Sequence, residues 1–110
     1  NPEIASVGPT ELELKSTGVS IKSVTVPLSV VTKSNLADYS DGFVKIIASK
    51  RTNVILGATV ASPHASELIH ELTLAVSGYL TTDQVARTMH IFPTWSEVIR
   101  VAAAKLAKTN

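Results

Sequence analysis

The chain has 110 residues, of which 45% are hydrophobic and only 17% charged, and its net charge is +1. That length makes one domain, which buries about two-thirds of its unfolded surface and excludes a large multi-site enzyme. A near-neutral balance without a sustained basic or acidic run excludes electrostatic capture of nucleic acid, and the absence of cysteine excludes disulfides and thiol chemistry supplied by this chain.

Residues 3–7 read as a short strand closed by Gly8-Pro9. Thr10 with Glu13 three positions on is a capping box, and it opens a short helix that stops at Gly18. Across 19–31, Val24, Val26, Leu28 and Val30 alternate with Thr25, Pro27 and Ser29, the period of a strand. Pro27 donates no ladder hydrogen bond, which puts that strand at an edge or bulges it. Asp38-Tyr39-Ser40-Asp41-Gly42 is a turn cluster. Phe43–Ser49 and Val54–Ala61, joined by Lys50-Arg51-Thr52-Asn53, read as a hairpin. The second strand carries few polar side chains and so has both faces covered. Gly57 within it predicts a bulge or close packing against a helix.

The period then changes. Ser62 is a candidate N-cap and Pro63 a first helical residue. Ala65, Leu68, Ile69, Leu72, Ala75, Val76 and Tyr79 form an apolar stripe at helical spacing, and Gly78 marks the helix's C-terminal end. A short helix follows Thr81. The last helix runs from about Trp95 to Ala107, with Thr94 and Glu97 as its capping box. Its main stripe is Trp95, Val98, Ile99, Ala102 and Leu106, and Val101, Ala103 and Ala104 lie off that stripe. A helix apolar over so much of its circumference is covered on two sides. The sheet covers one, and the expectation is that a partner covers the other. Low charge and a mean hydropathy of +0.24 point the same way. Strands first and helices last predict an α+β fold, an antiparallel sheet with helices packed on one face.

Little in the chain does chemistry alone. His64 and His70, six apart, diverge by roughly 240° around a helix, and no metal-ligand cluster appears. There is no phosphate-cradling glycine motif and no nucleophile elbow. Lys50-Arg51 reads as a solvated turn. The densest segment is Met89–Glu97, a loop-to-helix junction carrying His90, Trp95 and Glu97. It reads either as a plain helix start or as a loop presented to another chain's active site. No apolar run approaches the ~18 residues of a membrane-spanning helix. A start at Asn1-Pro2-Glu3 without Met or a signal pattern predicts one domain, 1–110, excised from a longer protein, and a cysteine-free chain fits the cytoplasm.

These residues resemble the C-terminal dimerisation domain of the pyridine nucleotide–disulfide oxidoreductases, which include lipoamide dehydrogenase, glutathione reductase and mercuric reductase. Pro2–Gly8 resembles that domain's opening strand, and Gly42-Phe43-Val44-Lys45 with Ile55-Leu56-Gly57-Ala58 its hairpin. His64–Glu71 resembles its first long helix, and Pro93-Thr94-Trp95-Ser96-Glu97 its signature loop and last helix. The resemblance implies FAD- and NAD(P)H-binding domains elsewhere in the parent enzyme and none of either cofactor bound by this fragment alone. It implies a homodimer with Thr94, Trp95, Ile99, Ala102 and Ala103 at the interface. It also implies that the loop from Phe92 to Glu97 reaches the partner subunit's flavin, with the backbone of Phe92 and Pro93 facing the ring. Partners are then a second copy and the parent's own domains, with no metal, nucleic acid or membrane. The competing expectation is a stand-alone α+β ligand-binding or interaction domain.

One departure bears on chemistry. In the disulfide reductases the residue before the signature Pro is a His that relays protons, oriented by a Glu at the place of Glu97. Here that residue is Phe92, which has nothing to titrate. Glu97 is the one catalytic position retained, and without its His it falls back to capping. His90 matches a different family position, roughly 6–7 Å away along an extended loop. Mercuric-reductase-like members carry Phe-Pro at a similar place but usually add a C-terminal cysteine pair, which Lys108-Thr109-Asn110 lacks. The subfamily stays open.

Overall fold

The computed structural model describes residues 2–39 and 41–110. Four strands, β1 (Glu3–Val7), β2 (Ile21–Pro27), β3 (Phe43–Ser49) and β4 (Ile55–Ser62), form one antiparallel sheet in the order β1-β4-β3-β2. Among the described residues five α-helices accompany it: α1 (Glu11–Ser16), α2 (Thr32–Leu36), α3 (Ala65–Ser77), α4 (Thr82–Arg87) and α5 (Glu97–Ala107). The predicted class holds. The two long helices, α3 over β1 and β4 and α5 over β2 and β3, cover one face, and α4 packs against α5.

Side-chain alternation assigns the faces. Val24, Val26, Val44, Ile46, Ala58 and Val60 share the helix-covered face and join Leu72, Trp95, Val98, Ile99 and Leu106 in a single core. Ser23 and Lys45 alternate onto the opposite face. There the six-residue α1 sits with its Glu11 carboxylate accepting from the Ser23 hydroxyl (3.0 Å) and paired with the Lys45 ammonium. The hairpin forms as read, with Ser49 and Val54 closing its turn and Asn53 in the left-handed region at φ 64°. Both faces of β4 are largely covered.

Other readings are corrected. Alternation ends at Pro27, the last residue of an edge strand, and Leu28–Val30 turns into a 3-10 helix, leaving Val30 exposed. The turn cluster after Leu36 holds Asp38 at φ 50°, while its Ser40 lies outside the described residues. Helix α2 had no periodic signal. A ladder irregularity between Ile47 and Ala48 confirms the predicted bulge beside Gly57. What approaches Gly57 is backbone after β1 rather than a helix: a Cβ there would lie 2.7 Å from the Pro9 carbonyl oxygen.

Ser62 ends β4 fully buried, its hydroxyl donating to the Pro63 carbonyl, so it caps nothing. The N-terminal residue of α3 is His64, at φ 60°. One of the helix's free backbone donors is met from β1, where the Glu3 carboxylate accepts from the Ser66 amide (3.2 Å) and also from the Ser66 hydroxyl (3.1 Å). At the other end Gly78 has φ −91°, and Tyr79 takes the left-handed position at φ 55°. The Leu80 amide bonds the Ala75 carbonyl, and the Tyr79 amide bonds that of Val76, closing a Schellman motif. Tyr79 is therefore swung out to solvent instead of completing the stripe.

Two outcomes follow. Gly57→Ala drives a methyl into backbone and lowers unfolding stability by about 1–3 kcal/mol in a urea titration. The Lys45 ammonium, and after it the Ser23 hydroxyl, hold the Glu11 carboxyl below its ordinary value. A lowered folded pKa stabilises above the unfolded value of about 4.3, and that contribution is lost as pH falls through the folded one. Glu11→Gln thus costs roughly 0.2–1 kcal/mol near pH 7, and the gap between variant and parent closes in acid.

Candidate functional site

Helix α4 is set by a full capping box. The Thr81 hydroxyl accepts from the Gln84 amide (3.2 Å), and the Gln84 side chain accepts from the Thr81 amide (2.9 Å). It ends at Thr88, whose hydroxyl donates to the Gln84 carbonyl (2.8 Å). The chain then crosses to α5 by a loop that turns its apolar side chains outward. Met89 is 90% exposed, Ile91 71% and Phe92 66%. The Phe92-Pro93 peptide bond is cis.

The loop is held from behind. His90, between two exposed neighbours, points inward. Its Nδ1 lies 2.8 Å from the Thr88 carbonyl and its Nε2 2.6 Å from the Glu71 carboxylate on α3. A carbonyl only accepts, so Nδ1 carries the proton there, and the Nε2–carboxylate contact needs a second proton between its atoms. The Thr94 hydroxyl donates to the Ile91 carbonyl (2.6 Å), which leaves Ser96 to donate to Thr94 Oγ1 (2.8 Å). Trp95 is buried and meets Tyr39 edge to face, with centroids 5.8 Å apart.

The predicted capping box of α5 is half made. The Thr94 amide donates to the Glu97 carboxylate (3.3 Å), but the Thr94 hydroxyl is engaged with Ile91, and Ser96, in helical geometry, is the N-terminal residue. Helix α5 starts at Glu97 rather than Trp95, because the Val98 and Ile99 amides bond back in tight three-residue turns to Trp95 and Ser96. Glu97 orients no imidazole among the described residues, since His90 is bonded to Glu71.

Two concavities flank the loop. A cleft of about 430 Å³ is lined by Lys33, His64, Glu67, Pro93, Thr94 and Trp95. A groove of about 320 Å³ is lined by Leu74, Leu80, Val85, Met89 and Ile91 with His90 and Glu71 at its base. Among the described residues no cluster of His, Asp or Glu is arranged to hold a metal ion. His64 is exposed, 3.7 Å from Glu67.

The expected interface residues fare unequally. Ile99, Ala102 and Ala103 are fully buried within the single chain and carry no surface with which to touch a second one, and Trp95 is nearly so. Only Thr94 is half-exposed. The second side of α5 is covered by α4 of the same chain. Large apolar side chains stay exposed instead at scattered positions such as Ile4, Leu12, Leu36 and Tyr79, and together on Met89, Ile91, Phe92 and Leu74, which flank one groove that helical periodicity does not report. The Phe92 carbonyl accepts no hydrogen bond from the described residues.

Residues 1–103 match the pyridine nucleotide-disulphide oxidoreductase dimerisation domain. The chain is 43% identical over 103 residues to the mitochondrial dihydrolipoyl dehydrogenase of Pisum sativum, covering 94% of this chain and 21% of that protein. It is 42% identical over 103 residues to a leghemoglobin reductase of Glycine max, covering 94% and 20%. The crystal structure of LpdA from Mycobacterium tuberculosis superposes with a TM-score of 0.89 at 33% identity, over 96% of this chain and 23% of that one. The chain thus spans about a fifth of the length of the curated relatives it matches. The competing expectation of an unrelated ligand-binding domain finds no support. With the family's model matched over residues 1–103 and relatives more than 40% identical over 103 residues, the chain belongs to the pyridine nucleotide–disulfide oxidoreductase dimerisation domain family.

Proposed function

We propose that residues 1–110 act as the interface domain of a longer FAD-dependent NAD(P)H oxidoreductase. They pair with a second copy and carry the loop Phe92–Glu97 to the partner subunit's flavin. The observation that supports this most is the outward ridge of Met89, Ile91 and Phe92, with an unpaired Phe92 carbonyl, anchored from behind by His90 and Thr94. Solvent-exposed apolar side chains held in one shape suit a surface that is covered in the assembled enzyme. A free backbone acceptor fits a flavin ring donor whatever the side chain at 92. FAD, when bound, supplies the electron path from NAD(P)H. This chain's residues position it and exclude water from that side. Thr94 and the backbone of Phe92 and Pro93 contact the partner subunit. Trp95, Ile99, Ala102 and Ala103 support that surface from inside, and Glu97 caps α5.

The proposal extends to the acceptor. Phe92 has no proton to give, Glu97 has no imidazole to orient, and His90 is spent on Glu71. An acceptor that needs no protonating group on this loop, such as a metal ion or a quinone, fits better than a disulfide. No described helix is long and apolar enough to cross a membrane. A cysteine-free chain fits a reducing compartment, and on that ground we place the enzyme in the cytoplasm, which cell fractionation tests.

Sedimentation and visible absorption of the full-length protein test the assembly: a two-fold dimer with bound flavin is expected, and a flavin-free monomer overturns the reading. Phe92→His is expected to raise lipoamide turnover at least tenfold. A wild-type enzyme that already turns over lipoamide with kcat of about 10–10³ s⁻¹ overturns the choice of acceptor and leaves the assembly standing.

A further inference from the structure

Of the chain's three histidines, only His90 is withdrawn from solvent. Its side chain is 4% exposed, between neighbours that are 90% and 71% exposed. Both ring nitrogens are engaged, one by the loop's own Thr88 and one by Glu71, nineteen residues earlier on α3. Among the described residues, the one other hydrogen bond that holds residues 89–92 is the one the Ile91 carbonyl accepts from Thr94. The outward side chains of Met89, Ile91 and Phe92 find no cover that would fix them.

We propose that His90 and Glu71 are a positioning pair, which clamps the 88–94 loop to α3 and so sets where Phe92 is presented, and that His90 is not the loop's proton donor. The presentation of Phe92 to a flavin rests on the function proposed above; the clamp does not. The geometry separates the two roles. An imidazole that relayed protons outward would have to rotate out of its pocket and break both hydrogen bonds, leaving the partly buried Glu71 carboxylate unpaired. An imidazole that positions stays where it is and needs only the two bonds.

Proton inventory supplies a conservative variant. In Glu71→Gln the side-chain amide donates to a neutral ring's Nε2 while Nδ1–H still donates to Thr88, so the clamp survives without its charge. His90→Ala and Glu71→Ala break it.

The test uses the full-length enzyme and three readouts: amide exchange over residues 88–94, emission of bound flavin, and the pH profile of kcat/KM with the enzyme's own electron acceptor. In His90→Ala and Glu71→Ala, loop exchange is expected to accelerate at least tenfold and flavin emission to change about twofold. In Glu71→Gln, exchange stays within twofold of wild type and the pH profile keeps its shape. Unchanged loop exchange in both alanine variants overturns the clamp. A pH limb that moves in Glu71→Gln and vanishes in His90→Ala overturns the positioning role in favour of proton transfer. Faster exchange with unaltered flavin emission upholds the clamp and overturns the flavin-facing reading.

Discussion

Burial of α5 against β2 and β3 is the constraint from which the rest of the site is built. Val98, Ile99, Ala102, Ala103 and Leu106 are fully withdrawn from water, and Trp95 nearly so. Each large apolar side chain buried in this way contributes about 1.5–3 kcal/mol. The helix's axial position and rotation are thereby settled, and its first turn, where Trp95 meets Tyr39, becomes a fixed point from which the preceding loop departs. On its other side α5 packs against α4.

Between the fixed ends of α4 and α5 runs a short segment that exposes three large apolar side chains. Such a segment has no hydrophobic reason to hold one shape. Its shape is imposed by polar contacts from the inner side: His90 to Thr88 and Glu71, the Thr94 hydroxyl to the Ile91 carbonyl, and the Thr94 amide to Glu97. Packing fixes the ends and hydrogen bonds fix the middle. The division suits a surface that must be both apolar outside and rigid, as a dimerisation domain requires. It also accounts for the chemistry left on the loop, since the groups able to titrate are those consumed in holding it.

Much of the architecture was legible locally. The capping box of Thr10 with Glu13 acts within one helical turn and forms as read, and the short helix expected after Thr81 starts there on a box of its own with Gln84. The β3–β4 hairpin, the edge position of Pro27 and the irregularity beside Gly57 follow from residue type and alternation. Local reading failed where another group competed for the capping side chain or supplied the cap. Ser62 was the evident cap for α3, but β4 claims Ser62, and Glu3, sixty-three positions from Ser66, does the capping. Thr94 was the evident cap for α5, but the loop's own Ile91 carbonyl takes its hydroxyl.

The sequence by itself determined most of the elements and their faces, because capping, alternation and apolar periodicity are short-range and carry their own physical signature, and its motifs carried the resemblance to the family. It also determined that no proton donor stands at position 92. Only the tertiary structure decided which apolar residues remain outside. Ala103 reads as surplus on a helical wheel, yet α4 packs against its helix and it is fully buried. Phe92 lies in no periodic stripe that would report its burial, and it stands in solvent. The fate of His90 was beyond local reading for the same reason: its partner Glu71 is nineteen residues away, and only the docking of α3 and α4 onto one body brings carboxylate and imidazole together.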